Sequence, residues 1–415
     1  MRKGVKTSLA IAGLFFGCGP VYAQTDDGRM SDAVRDIAAA VHQRFVPDDR
    51  TDIFRVWAEG EDSLQLLAES TLPRALAAFR SALDSAGIRT TVRNRLLPGS
   101  GTGKKTYGIV NLSVANNRKL PSNASEMVTQ MLLGTPVRIL KKEKGYYLVR
   151  TPDRYISWTD DAAVVPVDEA AYRAWVRAPK TVYTKEYGHA FAAPSDTAMR
   201  VSDLVQGDIL EVLGTEKGFF RIRYPDGRIA YLPVREAMPY ERWIARPDPD
   251  AAQIIGTAKT LTGVPYLWGG TSIKGMDCSG FTKTSFFLNG IILPRDASQQ
   301  ARVGVPVDIL ENDTLSLRKC LQNLRPGDLL FFTPAKDNRN GPPHITHTAI
   351  YMGDGVFIQA AGRVRINNML PGTEGYDDFQ SRRLVSARRI LGATDSPGIS
   401  RVEHNFFYTG QSSQK

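Results

Sequence analysis

Cys278 and His347 are the two residues of this chain whose types and settings suggest covalent chemistry. Cys278 precedes a helix-compatible segment, 281–289, which stops at Gly290, a residue type that tolerates the left-handed conformation at a helix C-terminus. A thiol in the first turn of a helix faces unpaired backbone N–H groups, which favour an anion and lower the thiol pKa. His347 begins an apolar strand 69 residues later. A thiol nucleophile assisted by an imidazole base is therefore the predicted chemistry.

The strand that begins at His347 is followed by a turn at Gly353 and a second strand, which predicts a hairpin. A turn centred on Gly353 places Gln359 opposite His347, where its amide accepts a hydrogen bond from the ring and holds its tautomer. A different loop length would shift the register by one residue and turn Gln359 to the other face. Asp277 is a suitable N-cap for the helix of Cys278, although its charge opposes a thiolate.

The other histidines and cysteines do not form a second candidate site. His344 follows two prolines in a loop, and we expect it to be exposed to solvent. Cys320 lies in a helical segment as a packing residue; the alternative is a disulfide with Cys278 in an oxidising compartment. Because the histidines are scattered and these two cysteines are 42 residues apart, the sequence predicts no metal site and no cofactor.

Five strings around these residues resemble the NlpC-type family of bacterial cysteine peptidases and occur in the family's order across residues 250–393. The strings are Tyr266–Gly270, Asp277–Phe281, Leu293–Gln300, Arg325–Phe332 and His347–Gly353. The resemblance implies a papain-like fold with Cys278 as nucleophile, His347 as general base and Gln359 as the residue that orients the histidine. It also implies hydrolysis of cell-wall stem peptides between γ-D-glutamate and a diamino acid. The backbone N–H of Cys278 and the hydroxyl of Tyr266 are the candidate donors to the oxyanion.

Two segments ahead of the peptidase-like region have the pattern of small β-barrels. Residues 104–165 contain several short strand-like stretches separated by turns. They resemble the bacterial SH3-like domain that accompanies γ-D-glutamyl-diamino-acid endopeptidases. Residues 178–245 repeat its strings about 73 residues later, which predicts a second barrel.

The resemblance to that subfamily also implies which residues bind the substrate. The first barrel would wall off the site and leave room for a short peptide with a free amino end, whose ammonium pairs with a carboxylate. Glu126 and Asp277 match the subfamily's acidic contacts, whereas Ala297 stands where the subfamily has a serine, with Asp296 and Ser298 as alternative contacts. The predicted substrate-binding residues are Glu126, Tyr155, Trp268, Asp277, Ser279, Asp296 and Ser298.

The N-terminal 103 residues divide into a leader and a helical region. Residues 1–23 have a positive start, a short apolar run and Val21–Ala23 before a cleavage point, which is typical of a secretory signal. The run is too short to span a bilayer, so we expect a soluble periplasmic protein; the alternative is a lipoprotein attached through Cys18. Apolar residues at helical spacing over Ala33–Val46 and Ser63–Ala86 predict a helical region for residues 24–103.

The composition is that of a multidomain globular protein. A chain of 415 residues suggests roughly two to four domains, with 42% hydrophobic and 23% charged residues. The net charge of +10 falls to +7 without residues 1–23, which favours approach to an anionic wall polymer. No run of Lys and Arg is long enough to indicate nucleic-acid binding.

The sequence as a whole predicts a multidomain α+β protein with a papain-like cysteine peptidase domain, two SH3-like barrels before it and a C-terminal tail at 394–415. We expect a monomer that acts on peptidoglycan stem peptides or muropeptide fragments in cell-wall turnover, with meso-diaminopimelate or lysine after the cleaved bond. Two alternatives remain at this point. One is a non-catalytic wall-binding module, and the other is an acyltransferase or amidase that acts on another γ-glutamyl amide.

Overall fold

The computed structural model describes residues 29–60, 65–245, 248–336, 341–378 and 380–411. The chain forms two units, residues 1–96 and 97–415, which are described separately. The predicted leader and Cys18 lie outside the described residues. Within these ranges, no helix combines the length and the apolar character that a membrane span requires.

The first unit contains a three-stranded sheet as well as two helices. Its elements are α1 (Asp32–Phe45), β1 (Phe54–Glu59), β2 (Gln65–Ser70), α2 (Pro73–Ser85) and β3 (Val92–Leu96). The central strand β2 pairs antiparallel with β1 and parallel with β3. The core packs the helices onto the sheet through residues such as Ala38, Phe54, Ala68 and Phe79.

The prediction of a helical N-terminal region is therefore wrong in part. A single helix over Ser63–Ala86 was expected, but β2 occupies its first part and α2 begins only at Pro73, whose fixed φ suits the first helical turn. The central strand is buried on both faces, so its apolar residues are continuous rather than alternating. Such a run cannot be distinguished from a buried helix by its spacing alone.

The second unit begins with a seven-stranded antiparallel sheet. Its strands are β4 (Tyr107–Val110), β5 (Val114–Arg118), β6 (Met127–Leu132), β7 (Pro136–Glu143), β8 (Tyr146–Arg150), β9 (Ile156–Asp160) and β10 (Val164–Val167). They are arranged in the order β10-β4-β7-β8-β9-β5-β6 around a core that includes Val110, Val137 and Val149. Helix α3 (Glu169–Arg177) follows this sheet.

A second seven-stranded sheet has the same arrangement. Its strands are β11 (Lys180–Tyr183), β12 (Tyr187–Phe191), β13 (Arg200–Val205), β14 (Ile209–Glu216), β15 (Phe219–Arg223), β16 (Ile229–Pro233) and β17 (Ala237–Pro239). The strand order is β13-β12-β16-β15-β14-β11-β17. When each strand is numbered by its place within its own sheet, this equals the order of the first sheet read from the opposite edge. A 3₁₀ turn precedes the last strand in both sheets. Short helix α4 (Tyr240–Ile244) then leads toward the third part.

The third part is built around a six-stranded sheet. Its helices are α5 (Ala251–Thr260), α6 (Cys278–Phe287), α7 (Ala297–Gln300) and α8 (Leu317–Asn323). The short strands are β18 (Thr271–Ser272), β19 (Gly275–Met276), β20 (Ile291–Ile292), β21 (Val305–Val307), β22 (Leu310–Glu311) and β23 (Thr314–Leu315). The long strands are β24 (Leu329–Pro334), β25 (His347–Gly353), β26 (Val356–Ala361), β27 (Arg363–Asn368) and β28 (Arg382–Arg389). The sheet order is β21-β28-β24-β25-β26-β27, and α6 packs on β25 and β26.

The C-terminal segment belongs to the folded unit as far as it is described. Its strand β29 (Ser400–Arg401) pairs with β20, and α9 (Phe406–Thr409) follows. The hydroxyl of Tyr172 on α3 donates to the carbonyls of Phe406 and Phe407, at 2.8 and 3.0 Å. The segment expected as a tail is thus held by the peptidase-like part and by the helix between the two seven-stranded sheets.

Candidate active site

Helix α6 presents Cys278 as its first residue. Asp277 is the N-cap, and its Oδ1 accepts the N–H of Gly280 at 2.7 Å. A Cβ on Gly280 would lie 2.0 Å from the carbonyl oxygen of Gly270, so glycine allows the helix start to approach that loop closely. The cap and this contact fix the position of Cys278, which is buried.

The thiol of Cys278 lies against the beginning of β25. Its Sγ lies 3.9 Å from the carbonyl oxygen of Thr346, the residue directly before His347. The structure therefore brings the predicted nucleophile to the strand that carries the predicted base, although 69 residues separate them in the chain.

His347 contacts Gln359 as the sequence predicted, but in a different register. Its Nε2 lies 2.7 Å from Oε1 of Gln359. Ile350 pairs with Ile358 and Tyr351 with Phe357, and the register shifts after Tyr351, so that Gln359 falls opposite Ala349 and not opposite His347. A shift of two residues keeps both side chains on one face, so a diagonal contact replaces the predicted direct one.

Burial governs the protonation of Cys278 and His347. Burial, together with the charge of Asp277, raises the pKa of the Cys278 thiol to about 12. Burial, together with the charge of Arg382, lowers the pKa of the His347 imidazole to about 3. The helix N-terminus was expected to lower the thiol pKa, but burial and the charge of Asp277 act in the opposite direction. Both groups are neutral near pH 7.

Arg295 neutralises the carboxylate of Asp277. It is only 1% exposed, and its two terminal nitrogens lie 2.6 and 3.1 Å from the two oxygens of Asp277. Its Nη1 also donates to Ser279 Oγ at 3.0 Å, and its Nε donates to Thr129 Oγ1 on β6 at 2.9 Å. Asp277 Oδ2 accepts a further bond from the N–H of Gly269 at 2.9 Å. Asp277 and Ser279 are thus engaged in an internal network.

Tyr266 is half-buried beside the thiol. Burial raises the pKa of its phenol, so the hydroxyl remains a hydrogen-bond donor. Its backbone is fixed because its N–H donates to the carbonyl of Gly362 at 2.9 Å. That its hydroxyl faces the site stays a prediction.

Trp268 and Glu126 join the peptidase-like part to the first seven-stranded sheet. The indole Nε1 donates to Glu126 Oε1 at 2.8 Å, and Trp268 is 60% exposed. Across the described chain, no Lys or Arg side chain forms an ion pair with Glu126. Tyr155 is buried directly before β9. The sheet therefore brings an exposed carboxylate without a cationic partner to the loop before Cys278.

The remaining predicted residues lie around these. Asp296 is the N-cap of α7, and its N–H donates to Gln299 Oε1 at 3.1 Å. Ala297 is buried and Ser298 half-buried on the same short helix. His344, expected to be exposed, is half-buried. Cys278 and Cys320 are both free, so the disulfide alternative is wrong, and no described cluster of three or more His, Cys, Asp or Glu residues is arranged to hold a metal ion.

Comparison with known proteins identifies two parts of the chain. Residues 263–385 match the model of the NlpC/P60 family, and residues 117–164 match that of the bacterial dipeptidyl-peptidase Sh3 domain. A γ-D-glutamyl-L-lysine dipeptidyl-peptidase from Bacillus cereus is 31% identical over 279 residues, which covers 65% of this chain and 77% of the relative. The chain belongs to the NlpC/P60 family.

Further relatives and solved structures match a similar share of the chain. A dipeptidyl-peptidase 6 from Lysinibacillus sphaericus is 26% identical over 275 residues, covering 63% of this chain and 91% of that protein. The crystal structure of an NlpC/P60 protein from Bacillus cereus has a TM-score of 0.55 at 26% identity, over 69% of this chain and 99% of its own. An NlpC/P60 endopeptidase from Photobacterium damselae subsp. piscicida has a TM-score of 0.50 at 19% identity, over 70% and 72%, which supports the fold alone.

Arg295 is the residue of this NlpC/P60 site that sequence reasoning missed. It lies in the string Leu293–Gln300, where the resemblance assigns it no role. Its partners Asp277 and Thr129 lie 18 and 166 residues away in the chain, and the second is in another module. The available signal was an arginine followed by an aspartate in a string that is otherwise uncharged, because an arginine that becomes buried must be paired.

Proposed function

We propose that this protein is a cysteine endopeptidase that hydrolyses the bond between γ-D-glutamate and a diamino acid in peptidoglycan stem peptides with a free N-terminal L-alanine. The observation that carries the proposal is the contact of a buried Cys278 with the start of the strand that holds His347 and its Gln359 partner. The Bacillus relative is named as a γ-D-glutamyl-L-lysine dipeptidyl-peptidase, which agrees with this substrate class.

The chemistry begins from a neutral thiol and a neutral imidazole. Sγ of Cys278 attacks the amide carbonyl while His347 takes the thiol proton, and the carbonyl carbon becomes tetrahedral. The hydroxyl of Tyr266 and the backbone N–H of Cys278 donate to the oxyanion. His347 then gives its proton to the leaving amine, and the C–N bond breaks. Water, deprotonated by His347, cleaves the thioester and regenerates the thiol.

The amino end of the substrate pairs with Glu126. Arg295 already compensates the charge of Asp277, whereas the Glu126 carboxylate accepts only the neutral indole N–H of Trp268 and has no cation beside it in the described chain. An ammonium at the mouth of the site satisfies this carboxylate. Tyr155, Ser279, Asp296 and Ser298 complete the wall around it, and the cleaved dipeptide is L-Ala-γ-D-Glu.

The remaining modules serve this activity in the cell wall. The matching strand orders support the view that the second seven-stranded sheet is a second SH3-like barrel. Residues 1–23 direct secretion to the periplasm, where the mature protein acts as a monomer on muropeptide fragments.

The test is cleavage of L-Ala-γ-D-Glu-meso-diaminopimelate and its N-acetylated form, followed by mass spectrometry. We expect cleavage of the free-amine peptide alone, and none by Cys278→Ala or His347→Ala. Glu126→Gln should raise KM for the free-amine peptide by roughly 10-fold or more, since it removes the charge opposite the ammonium. Equal cleavage of both peptides would remove Glu126 from the proposal. Absence of cleavage would favour a binding module, and transfer to added amines would indicate an acyltransferase.

A further inference from the structure

Gln359 has two contacts on the side away from His347. Its Nε2 donates to Oδ1 of Asn367 at 2.8 Å and to Oδ2 of Asp377 at 3.2 Å. A carboxylate accepts hydrogen bonds and does not donate them. The amide nitrogen of Gln359 must therefore face Asp377, which turns its carbonyl oxygen toward His347.

Asn367 has an equally defined orientation. Its Nδ2 donates to the backbone carbonyl of Gly375 at 3.1 Å, so its Oδ1 must face Gln359. The same carbonyl accepts the N–H of Asn368 at 2.9 Å, and the N–H of Asp377 donates to the carbonyl of Asn368 at 2.9 Å. The loop is thus fixed to β27, and a backbone carbonyl and a carboxylate set the direction of both amides.

Arg382 holds Asp377 in place. Its Nη2 lies 2.6 Å from Asp377 Oδ2, and both side chains are largely buried. The guanidinium also lies over the ring of Phe332, 5.4 Å from its centroid, and Phe332 packs on His347 with the ring centroids 5.5 Å apart. The charge of the Asp377 carboxylate, which orients Gln359, is therefore neutralised by Arg382. The same ion pair restrains the carboxylate from rotating away from Gln359.

The orientation of the Gln359 amide determines which nitrogen of His347 carries the proton. Because Gln359 offers His347 an acceptor, Nε2 of the imidazole must carry the proton. Nδ1 then has a free lone pair, and this is the atom that can receive the thiol proton. An inverted Gln359 amide would place a donor opposite Nε2 and move the ring proton to Nδ1, where it would block proton transfer.

We propose that Asn367 and Asp377 are positioning residues that fix the tautomer of His347 through Gln359. The inference rests on the proposed function of Cys278 and His347. It predicts that loss of these contacts lowers kcat with little change in KM, because neither residue touches the substrate.

The first test compares Asp377→Ala and Asn367→Ala with Asp378→Ala on the free-amine peptide. Asp378 is the neighbouring exposed carboxylate, and its side chain accepts the N–H of Gln380 within its own loop. We expect kcat to fall on the order of 10-fold to 100-fold in the first two variants, as for loss of a hydrogen bond to a buried charged group. The Asp378→Ala variant should equal the wild type. An unchanged kcat in Asp377→Ala would overturn the proposal.

A double variant that exchanges donor and acceptor between positions 359 and 377 tests the direct contact. A purely structural role of Asp377 would not predict that the second substitution restores activity. Gln359→Glu places an acceptor against two acceptors, Asn367 Oδ1 and Asp377 Oδ2, and should be nearly inactive. Adding Asp377→Asn supplies a donor to the carboxylate introduced at position 359, and we expect the double variant to be at least about 10-fold more active than Gln359→Glu. A double variant no better than the single one would contradict the direct contact.

The second test needs no substrate. The ¹⁵N chemical shifts of the His347 ring distinguish the Nε2–H from the Nδ1–H tautomer. We expect pure Nε2–H in the wild type and a mixture in Asn367→Ala/Asp377→Ala. Nδ1–H in the wild type would overturn the inference. If the wild type has Nε2–H but cleaves no peptide, the proposed function fails while the positioning role is retained.

Discussion

His347 shows how burial of one residue links catalysis to stability. The folded protein keeps the imidazole neutral, with a pKa of about 3 against 6.5 for an ordinary histidine, so only the unfolded chain takes up this proton as the pH falls below 6.5. Folding stability therefore decreases with falling pH. Between pH 7 and pH 5 the loss from this residue is about 2 kcal/mol.

Urea unfolding of the wild type and His347→Gln at the two pH values checks this. The stability difference between the proteins should change by about 2 kcal/mol from pH 7 to pH 5, in favour of the variant at the lower pH. His404→Gln, which replaces an exposed histidine beside Asp395 and Glu403, is the comparison, and it should not favour the variant at the lower pH. Parallel pH dependence of the wild type and His347→Gln would mean that the folded and unfolded chains protonate this imidazole alike, so that burial does not lower its pKa.

Cys278 provides a second prediction at the same scale. Because burial raises its thiol pKa to about 12, little thiolate exists at neutral pH. Iodoacetamide should alkylate Cys278 slowly at pH 7 in a Cys320→Ser background, with a rate that rises about 10-fold per pH unit up to pH 10. The alkylated fraction is measured by mass spectrometry over time. A fast, pH-independent rate above pH 7 would instead indicate a preformed thiolate–imidazolium pair.

Sequence reasoning located Cys278, His347 and Gln359 because each lies in a local pattern, a helix start or a hairpin. It did not locate Arg295 or the role of Asp377, since their partners come from distant parts of the chain. The thiol pKa was also misjudged, because the helix dipole is visible in sequence and the depth of burial is not.

At the scale of elements, the start of α6 depends on the absence of a side chain at Gly280. A Cβ there would lie 2.0 Å from the backbone oxygen of Gly270, and a backbone atom cannot move aside cheaply. Gly280→Ala should cost roughly 1–3 kcal/mol of stability and displace Cys278, which reduces activity as well. Thermal unfolding and peptide cleavage measure both effects.

Gly256→Ala is the matched control for this prediction. Gly256 lies within α5, and a Cβ at this position meets no atom within 4 Å. The alanine should therefore stabilise the protein by about 0.5–1 kcal/mol through helix propensity. If both alanine variants behave alike, the contact with Gly270 does not constrain α6.

The elements that sequence reasoning misjudged share one property. Central strand β2 and the register between β25 and β26 are decided by neighbours and by a bulge, and neither leaves a periodic pattern in the chain. The short strands of the two seven-stranded sheets were easier, because turns and alternating residues mark them locally. Gln359 still met His347 because a shift of two residues preserves the face of the strand.

At the scale of the whole second unit, the first seven-stranded sheet is joined to the peptidase-like part by buried polar contacts. Gln130 Oε1 accepts the N–H of Thr271 at 2.9 Å, and Thr129 binds Arg295. Lys283 on α6 forms an ion pair with Asp153, whose side chain is 1% exposed. Sequence reasoning predicted that this sheet walls off the site, but single residues on two modules give no signal of their pairing.

The ion pair of Lys283 and Asp153 leads to a prediction about how the first seven-stranded sheet and the peptidase-like part are held together. Burial alone would raise the pKa of Asp153, yet the charge and hydrogen bond of Lys283 hold it below its usual value. Lys283→Met leaves an unpaired buried carboxylate and should cost about 3–5 kcal/mol at pH 7. In the wild type, the ionised carboxylate stabilises the fold above the ordinary pKa of 3.8, and this contribution is lost as the pH falls through the lowered value.

Urea unfolding of three proteins separates the charge from the loss of packing. In Lys283→Met the pKa of Asp153 should rise, so that its stability deficit relative to the wild type narrows as the pH is lowered from 7 to 5. Asp153→Asn/Lys283→Met removes both charges and should recover a large part of the loss at pH 7, because no buried charge remains without a partner. If the double variant is as unstable as Lys283→Met, the loss of stability comes from the missing packing of the lysine side chain. The first seven-stranded sheet and the peptidase-like part would then be joined by packing and not by charge.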